Sequence, residues 1–162
     1  MSTFRLESVS AAAFWLSTMA LSSAAQADPA DACTLLTATE VGAVAGGSMA
    51  DGQNSTPTFL KTCTWNPSGK SDVKAVTLYL QTTAAYDGGK QMALQMAAAS
   101  SSAGLSSAGV GDDSYYFVAG DQVGLLVKKG SVSFKVAIYA TLPVARKEAM
   151  ELALAKQVLA KL

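Results

Sequence analysis

The chain is 162 residues long, with 12 basic and 12 acidic side chains, no histidine and two cysteines. That balance argues against a nucleic-acid partner, which rewards a basic face, and against electrostatic adhesion to a membrane. The lack of histidine excludes Ser-His-Asp and Cys-His catalysis and leaves too few ligands for a zinc site, so no metal and no cofactor is expected.

Residues 1–27 read as a cleaved signal peptide. Arg5 precedes an apolar run from Val9 to about Leu21, and Ala25-Gln26-Ala27 is a small-x-small cleavage pattern ahead of Asp28-Pro29. The run is shorter than the roughly 20 residues that a spanning helix needs. The expectation is a soluble periplasmic or secreted chain, with residues 28–162 forming one domain and no integral membrane segment after cleavage.

Cys33 follows closely, and four roles are open to it: lipid anchor, reactive thiol, metal ligand or half of a disulfide. Pro29, Ala30, Asp31 and Ala32 separate it from the cleavage site, which disfavours a lipid anchor. A catalytic thiol would want a histidine base, and two cysteines with no histidine are too few for a metal site of this kind. Cys63, in "KTCTWNP", is the remaining partner, and two cysteines in an oxidising compartment read as one disulfide, Cys33–Cys63. Closing such a loop is worth roughly 3–4 kcal/mol in the chain-entropy account.

Thr37-Ala38-Thr39-Glu40 has the capping-box pattern, flanked by Leu36 and Val41 as a hydrophobic staple, and Gly46-Gly47 supplies a left-handed stop. A helix of about two turns is expected between them. Residues 48–58 read as a polar loop, within which Asn54-Ser55-Thr56 matches a glycosylation sequon. Residues 60–65 and 74–82 read as strands, separated by the turn residues Asn66-Pro67-Ser68-Gly69. A helix is expected from near Asp87 to Ala99, with Met92, Met96 and Ala99 as its core-facing stripe. Residues 100–109 read as a small-residue linker.

The stretch from Ser114 to Ala140 reads as a three-stranded meander. A Gly120-Asp121 turn sets Val118 against Val123 and Tyr116 against Leu125; a Lys129-Gly130 turn sets Val127 against Val132 and Leu125 against Phe134. One face then gathers the apolar set from Tyr116 to Ile138. A last helix begins near Pro143, with Leu152, Ala155, Leu159 and Leu162 along one face. The fold class is α+β: an antiparallel sheet of about five strands, helices packed mainly on one face, in the order α-β-β-α-β-β-β-α.

The other face of the meander shows Tyr115, Phe117, Leu126, Lys128, Lys135 and Tyr139, aromatics interleaved with lysines in the manner of a recognition surface. Catalytic constellations are thin. Asp112 and Asp113 enter a strand side by side and so point to opposite faces, which reads as a solvated turn. Gly109-x-Gly111 lacks the flanking strand and helix of a nucleotide loop and reads as backbone geometry.

The elements Cys33, Leu35, Leu36, Thr37, Glu40 and Val41, then Cys63 and Trp65, then Gly109, Gly111, Asp112 and Tyr115 form a Cys-x-Leu-Leu-Thr-x-x-Glu-Val, Cys-x-Trp, Gly-x-Gly-Asp-x-x-Tyr series. In this the chain resembles a family of small exported bacterial proteins and lipoproteins with a domain of unknown function. The resemblance implies a paired Cys33 and Cys63 and a helix-on-sheet fold; it implies no activity. Many such relatives carry a lipid-anchored cysteine ahead of this opening, which this chain lacks. The expected function is a non-catalytic exported binding or accessory module for a protein partner or envelope component. The competing expectation is a small-ligand sensor or small hydrolase with a cleft between sheet and helices.

Overall fold

A computed structural model describes residues 31–99, 105–120 and 122–162. The expected signal peptide lies outside the described residues, as does Asp121 of the first hairpin turn.

The chain enters through a short 3-10 turn, Ala32–Thr34, whose Cys33 is bonded to Cys63 with Cα atoms 5.0 Å apart. The disulfide fastens this entry to the sheet. Helix α1, Ala38–Ala45, begins with the expected capping box. The Thr37 hydroxyl accepts from the Glu40 N–H at 3.2 Å, and the Glu40 carboxylate accepts from the Thr37 N–H at 2.7 Å. Leu36 and Val41 are both buried, and Gly46 ends the helix at φ 75°. Glu40 also pairs with Lys161 at 2.8 Å, tying α1 to the end of the chain.

Strands β1 (Gln53–Thr56), β2 (Phe59–Trp65) and β3 (Val73–Thr82) form one antiparallel run. Helix α2, Thr83–Ala99, crosses to the far edge, where β4 (Leu105–Ser106), β5 (Asp113–Ala119), β6 (Gln122–Lys129) and β7 (Val132–Ala140) return by hairpins. Helix α3, Val144–Leu159, follows. Among the described residues the result is α+β, with a seven-stranded antiparallel sheet in the order β1-β2-β3-β7-β6-β5-β4. It has more strands than expected because β1 and β4 add short edges. One is all polar and the other is two residues long, so neither carries the apolar alternation that marks a strand.

The first hairpin of the meander has the expected register, with Val118 opposite Val123 and Tyr116 opposite Leu125. The second is shifted by two residues: Val127 faces Phe134 and Leu125 faces Val136. The reason is turn chemistry. Gly130 adopts φ 57° and is the first residue of a Gly130-Ser131 turn, so Lys129 stays in the strand. A shift of two preserves the faces, and Leu125, Val127, Phe134, Val136 and Ile138 are all buried together.

Two of the three helices share one face, in line with helices packed mainly on one side, and the third does not. Helices α1 and α3 cover the inner face, where Trp65, Leu78, Leu125, Phe134 and Leu154 are fully buried. Helix α2 lies on the outer face, against Tyr115 and Leu126. It also starts earlier than expected, at Thr83, where the Thr82 hydroxyl accepts from the Ala85 N–H at 3.1 Å. The α3 stripe differs as well. Its buried residues are Lys147, Met150, Glu151, Leu154, Ala155 and Val158, so two charged side chains sit where an apolar pattern would not place them. Glu151 has a visible purpose there. The β6–β7 ladder ends at Leu125 and Val136, and beyond it the Ile138 N–H donates to the Glu151 carboxylate at 3.0 Å.

Candidate functional site

The outer face divides into two parts, and the six residues expected to form a binding surface are split between them. Tyr115 and Leu126 are buried beneath α2, clustered with Tyr86 and Ala93, and Phe117 packs half-buried at the margin. Lys128 is also engaged: its ammonium pairs with Asp87 at 2.9 Å and lies 5.9 Å from the centre of the Tyr86 ring. Lys135 and Tyr139 remain on the open part, where Tyr139 is 45 % exposed.

Under α2 the contacts are aromatic and ionic. The Tyr86 and Tyr115 rings meet edge-on with centroids 5.4 Å apart. Lys90 bonds Asp113 at 2.6 Å and sits 5.9 Å from the Tyr115 centroid. That lysine hydrogen bond holds Asp113 below the usual carboxylate range. Burial, reinforced by Asp113, pushes the Tyr86 hydroxyl well above the ordinary tyrosine range. The hydroxyl is buried without a hydrogen-bond partner of ordinary geometry. The neighbouring Asp112 turns away. It accepts from the Gly130 N–H at 2.7 Å and pairs with Lys129 at 2.9 Å, fixing the β6–β7 turn. The pair of aspartates thus does not form a shared site.

The open part is built on β3 and β7. Along their register Tyr79 stands opposite Lys135, Thr77 opposite Ala137 and Ala75 opposite Tyr139. Tyr79 and Tyr139 lie on the same face, four residue steps apart along the strands, which is about 13 Å. The small side chains of Thr77 and Ala137 lie between them. Tyr79 is 37 % exposed. The sequence does hold the signal for it, since Tyr79 alternates against the buried Val76, Leu78 and Leu80 of the same strand. The Lys135 side chain lies across Gly124, where a Cβ would come within 2.6 Å of its Cε. Glycine there lets the lysine stem lie flat on the sheet.

Each tyrosine borders a groove. One, of about 320 Å³, is lined by Tyr79 with Phe59, Lys61, Gln81 and Val132. The other, of about 200 Å³, is lined by Tyr139 with Lys74, Gln122, Val123 and Ile138. Lys74 and Lys135 form no ion pair among the described residues, whereas the outer-face carboxylates of Asp87 and Asp113 are already matched to lysines. The open surface is therefore aromatic and cationic.

Ser71 and Lys74 have the Ser-x-x-Lys spacing of a serine–lysine dyad, but they line different clefts, and the Ser71 hydroxyl accepts from the Val73 N–H at 3.1 Å. Asn54 of the sequon sits in β1, half-buried. With its amide turned to suit its neighbours, it donates to the Thr62 carbonyl and to Asp31. The methionine stripe of α2 faces outward, with Met92 64 % exposed, because Tyr86 and Ala93 define the buried side. Among the described residues no group of three potential ligand side chains is placed to hold a metal ion, and no helix is long and apolar enough to cross a membrane.

Comparison of the chain with protein-family models, with curated proteins and with solved structures returns no match to any of them.

Proposed function

We propose that the protein is an exported binding or accessory module that recognises a protein partner or envelope component through the open part of its outer sheet face. The observation that carries this reading is the pair of exposed tyrosines, Tyr79 and Tyr139, set about 13 Å apart beside Lys135 on the part of the outer face that α2 leaves open. Tyrosine combines a large contact area with a polar tip, and such residues dominate recognition surfaces. Lys74 and Lys135, which form no ion pair among the described residues, favour a partner with acidic groups. Export rests on the pattern of residues 1–27 and is supported by the Cys33–Cys63 disulfide, a bond suited to an oxidising compartment.

The likeness to exported proteins of unknown function rests on the same elements. Cys63 and Trp65 are buried beside the chain entry, and Gly111 adopts φ 68° with its Cα side against the Lys128 carbonyl, a place for glycine alone.

The test replaces both tyrosines. A Tyr79→Ser/Tyr139→Ser double variant is expected to lose the partner that the parent retains from an envelope extract, with a melting temperature within about 3 °C of the parent, as for exposed substitutions. Undiminished retention by the double variant would overturn the proposal.

A further inference from the structure

The closed part of the outer face is held by an element poorly suited to hold it. Helix α2 is 17 residues long, yet only Tyr86 and Ala93 are buried. Two ion pairs fasten it, Lys90–Asp113 at 2.6 Å and Asp87–Lys128 at 2.9 Å, and both are partly exposed to solvent, where such pairs are weak and salt-screened. Gly88 and Gly89 lie between the charged residues of the helix and weaken it locally. The buried Tyr86 hydroxyl lies by the Asp113 carboxylate without a hydrogen bond of ordinary geometry among the described residues, so docking satisfies this polar group less well than water would on release. On the far side, Met92, Leu94 and Met96 are exposed in the docked state.

We infer that α2 is a strap that lifts from the outer face as a unit, uncovering Tyr115, Phe117 and Leu126 next to the open surface of Tyr79, Lys135 and Tyr139. Lifting turns two small regions into one continuous aromatic face bordered by Asp113, Lys128 and Lys135. The inference deepens the binding reading, on which its functional meaning rests: α2 limits access to part of the surface, and a partner that engages the whole face must displace it. The strap itself rests on the packing of α2 alone. Opening therefore requires no partner, and it is favoured by salt, which weakens both ion pairs.

Native-state hydrogen exchange on the intact, oxidised chain decides it. The amides of α2 from Asp87 to Ala97 are expected to exchange through one shared opening, with protection at least about 100-fold below that of Met150–Val158 in α3. A Lys90→Met/Lys128→Met variant is expected to speed all of those α2 amides together, by about three- to tenfold, and to leave α3 unchanged. Equal protection in α2 and α3 overturns the strap. So does protection that falls smoothly toward the helix ends, which is fraying, or an acceleration shared by α3. Cooperative opening of α2 in a protein whose tyrosine variants still hold the partner would keep the strap and remove the binding reading; the reverse pattern would do the opposite.

Discussion

Helices α3 and α2 are nearly equal in length, 16 and 17 residues, and they sit on opposite faces of one sheet. They are attached in different ways. Helix α3 sinks Met150, Leu154, Ala155 and Val158 into the inner core, and two of its turns bond the sheet through polar groups. The Glu151 carboxylate takes the Ile138 N–H, and the Tyr116 hydroxyl donates to the Glu148 carbonyl at 3.0 Å. Helix α2 buries a tyrosine and an alanine and relies on two surface ion pairs. The contrast separates a face that makes the fold from a face that the fold leaves available. The inner face is a continuous core, and the outer face is half covered and half open.

Changes on the inner side should break this contrast most visibly. Leu154→Ala removes a fully buried side chain and is expected to cost about 2–5 kcal/mol in denaturant unfolding. Loss of the disulfide by Cys33→Ala/Cys63→Ala comes next, at about 2–4 kcal/mol, read from the same titration.

The third prediction concerns pH. Burial raises the Glu151 carboxyl to about 8, opposed by its bond to Ile138 and by Lys135 and Lys147, and assisted by Glu148. The folded state therefore holds a proton that the unfolded chain releases near its ordinary value of 4.5. Stability from this group is complete below that value and declines as pH rises through about 8. The decline should be on the order of 5 kcal/mol, and Glu151→Gln should flatten it; an unchanged slope in that variant would assign the decline to other groups.

The helix-cap variant Thr37→Ala should cost about 1 kcal/mol, since it breaks one half of the capping box. At the small end, Met92→Ala on the outward side of α2 should stay within about 0.5 kcal/mol of the parent. A large loss there would show that α2 is packed more firmly than its contacts indicate.

Much of the inner half was legible in the sequence because its signals are local. The capping box, the left-handed stop at Gly46 and the turn at Gly120 each lie within a few residues, and the cysteines had only each other. The second hairpin was two residues out because Lys129-Gly130 and Gly130-Ser131 are both glycine-containing turns, and only the second puts glycine first. The α3 stripe was misjudged because buried Lys147 and Glu151 look like solvent residues in an apolar pattern.

The outer face was the least legible. Its residues were named correctly as sharing a side, since strand alternation dictates that, but which of them α2 covers depends on the path from β3 to β4. No local pattern records that path. The methionines of α2 misled for a related reason: they repeat at helical spacing, yet Tyr86 and the small Ala93 set the contact, and a small-residue stripe has little apolar signal. Tyr79 stands out little in the sequence because the strongest signal of its strand is the buried side, Val76, Leu78 and Leu80.

The proposed recognition assigns partner contact to the open outer face and not to the inner-face helices. It is tested most directly by placing a photo-crosslinking phenylalanine analogue at Tyr139, and in a separate chain at the exposed Lys156 of α3, and irradiating cells that produce the protein. Recognition through the open face gives a discrete crosslinked adduct from position 139 that Tyr79→Ser suppresses, and none from position 156. An adduct from position 156 with none from position 139 would contradict it.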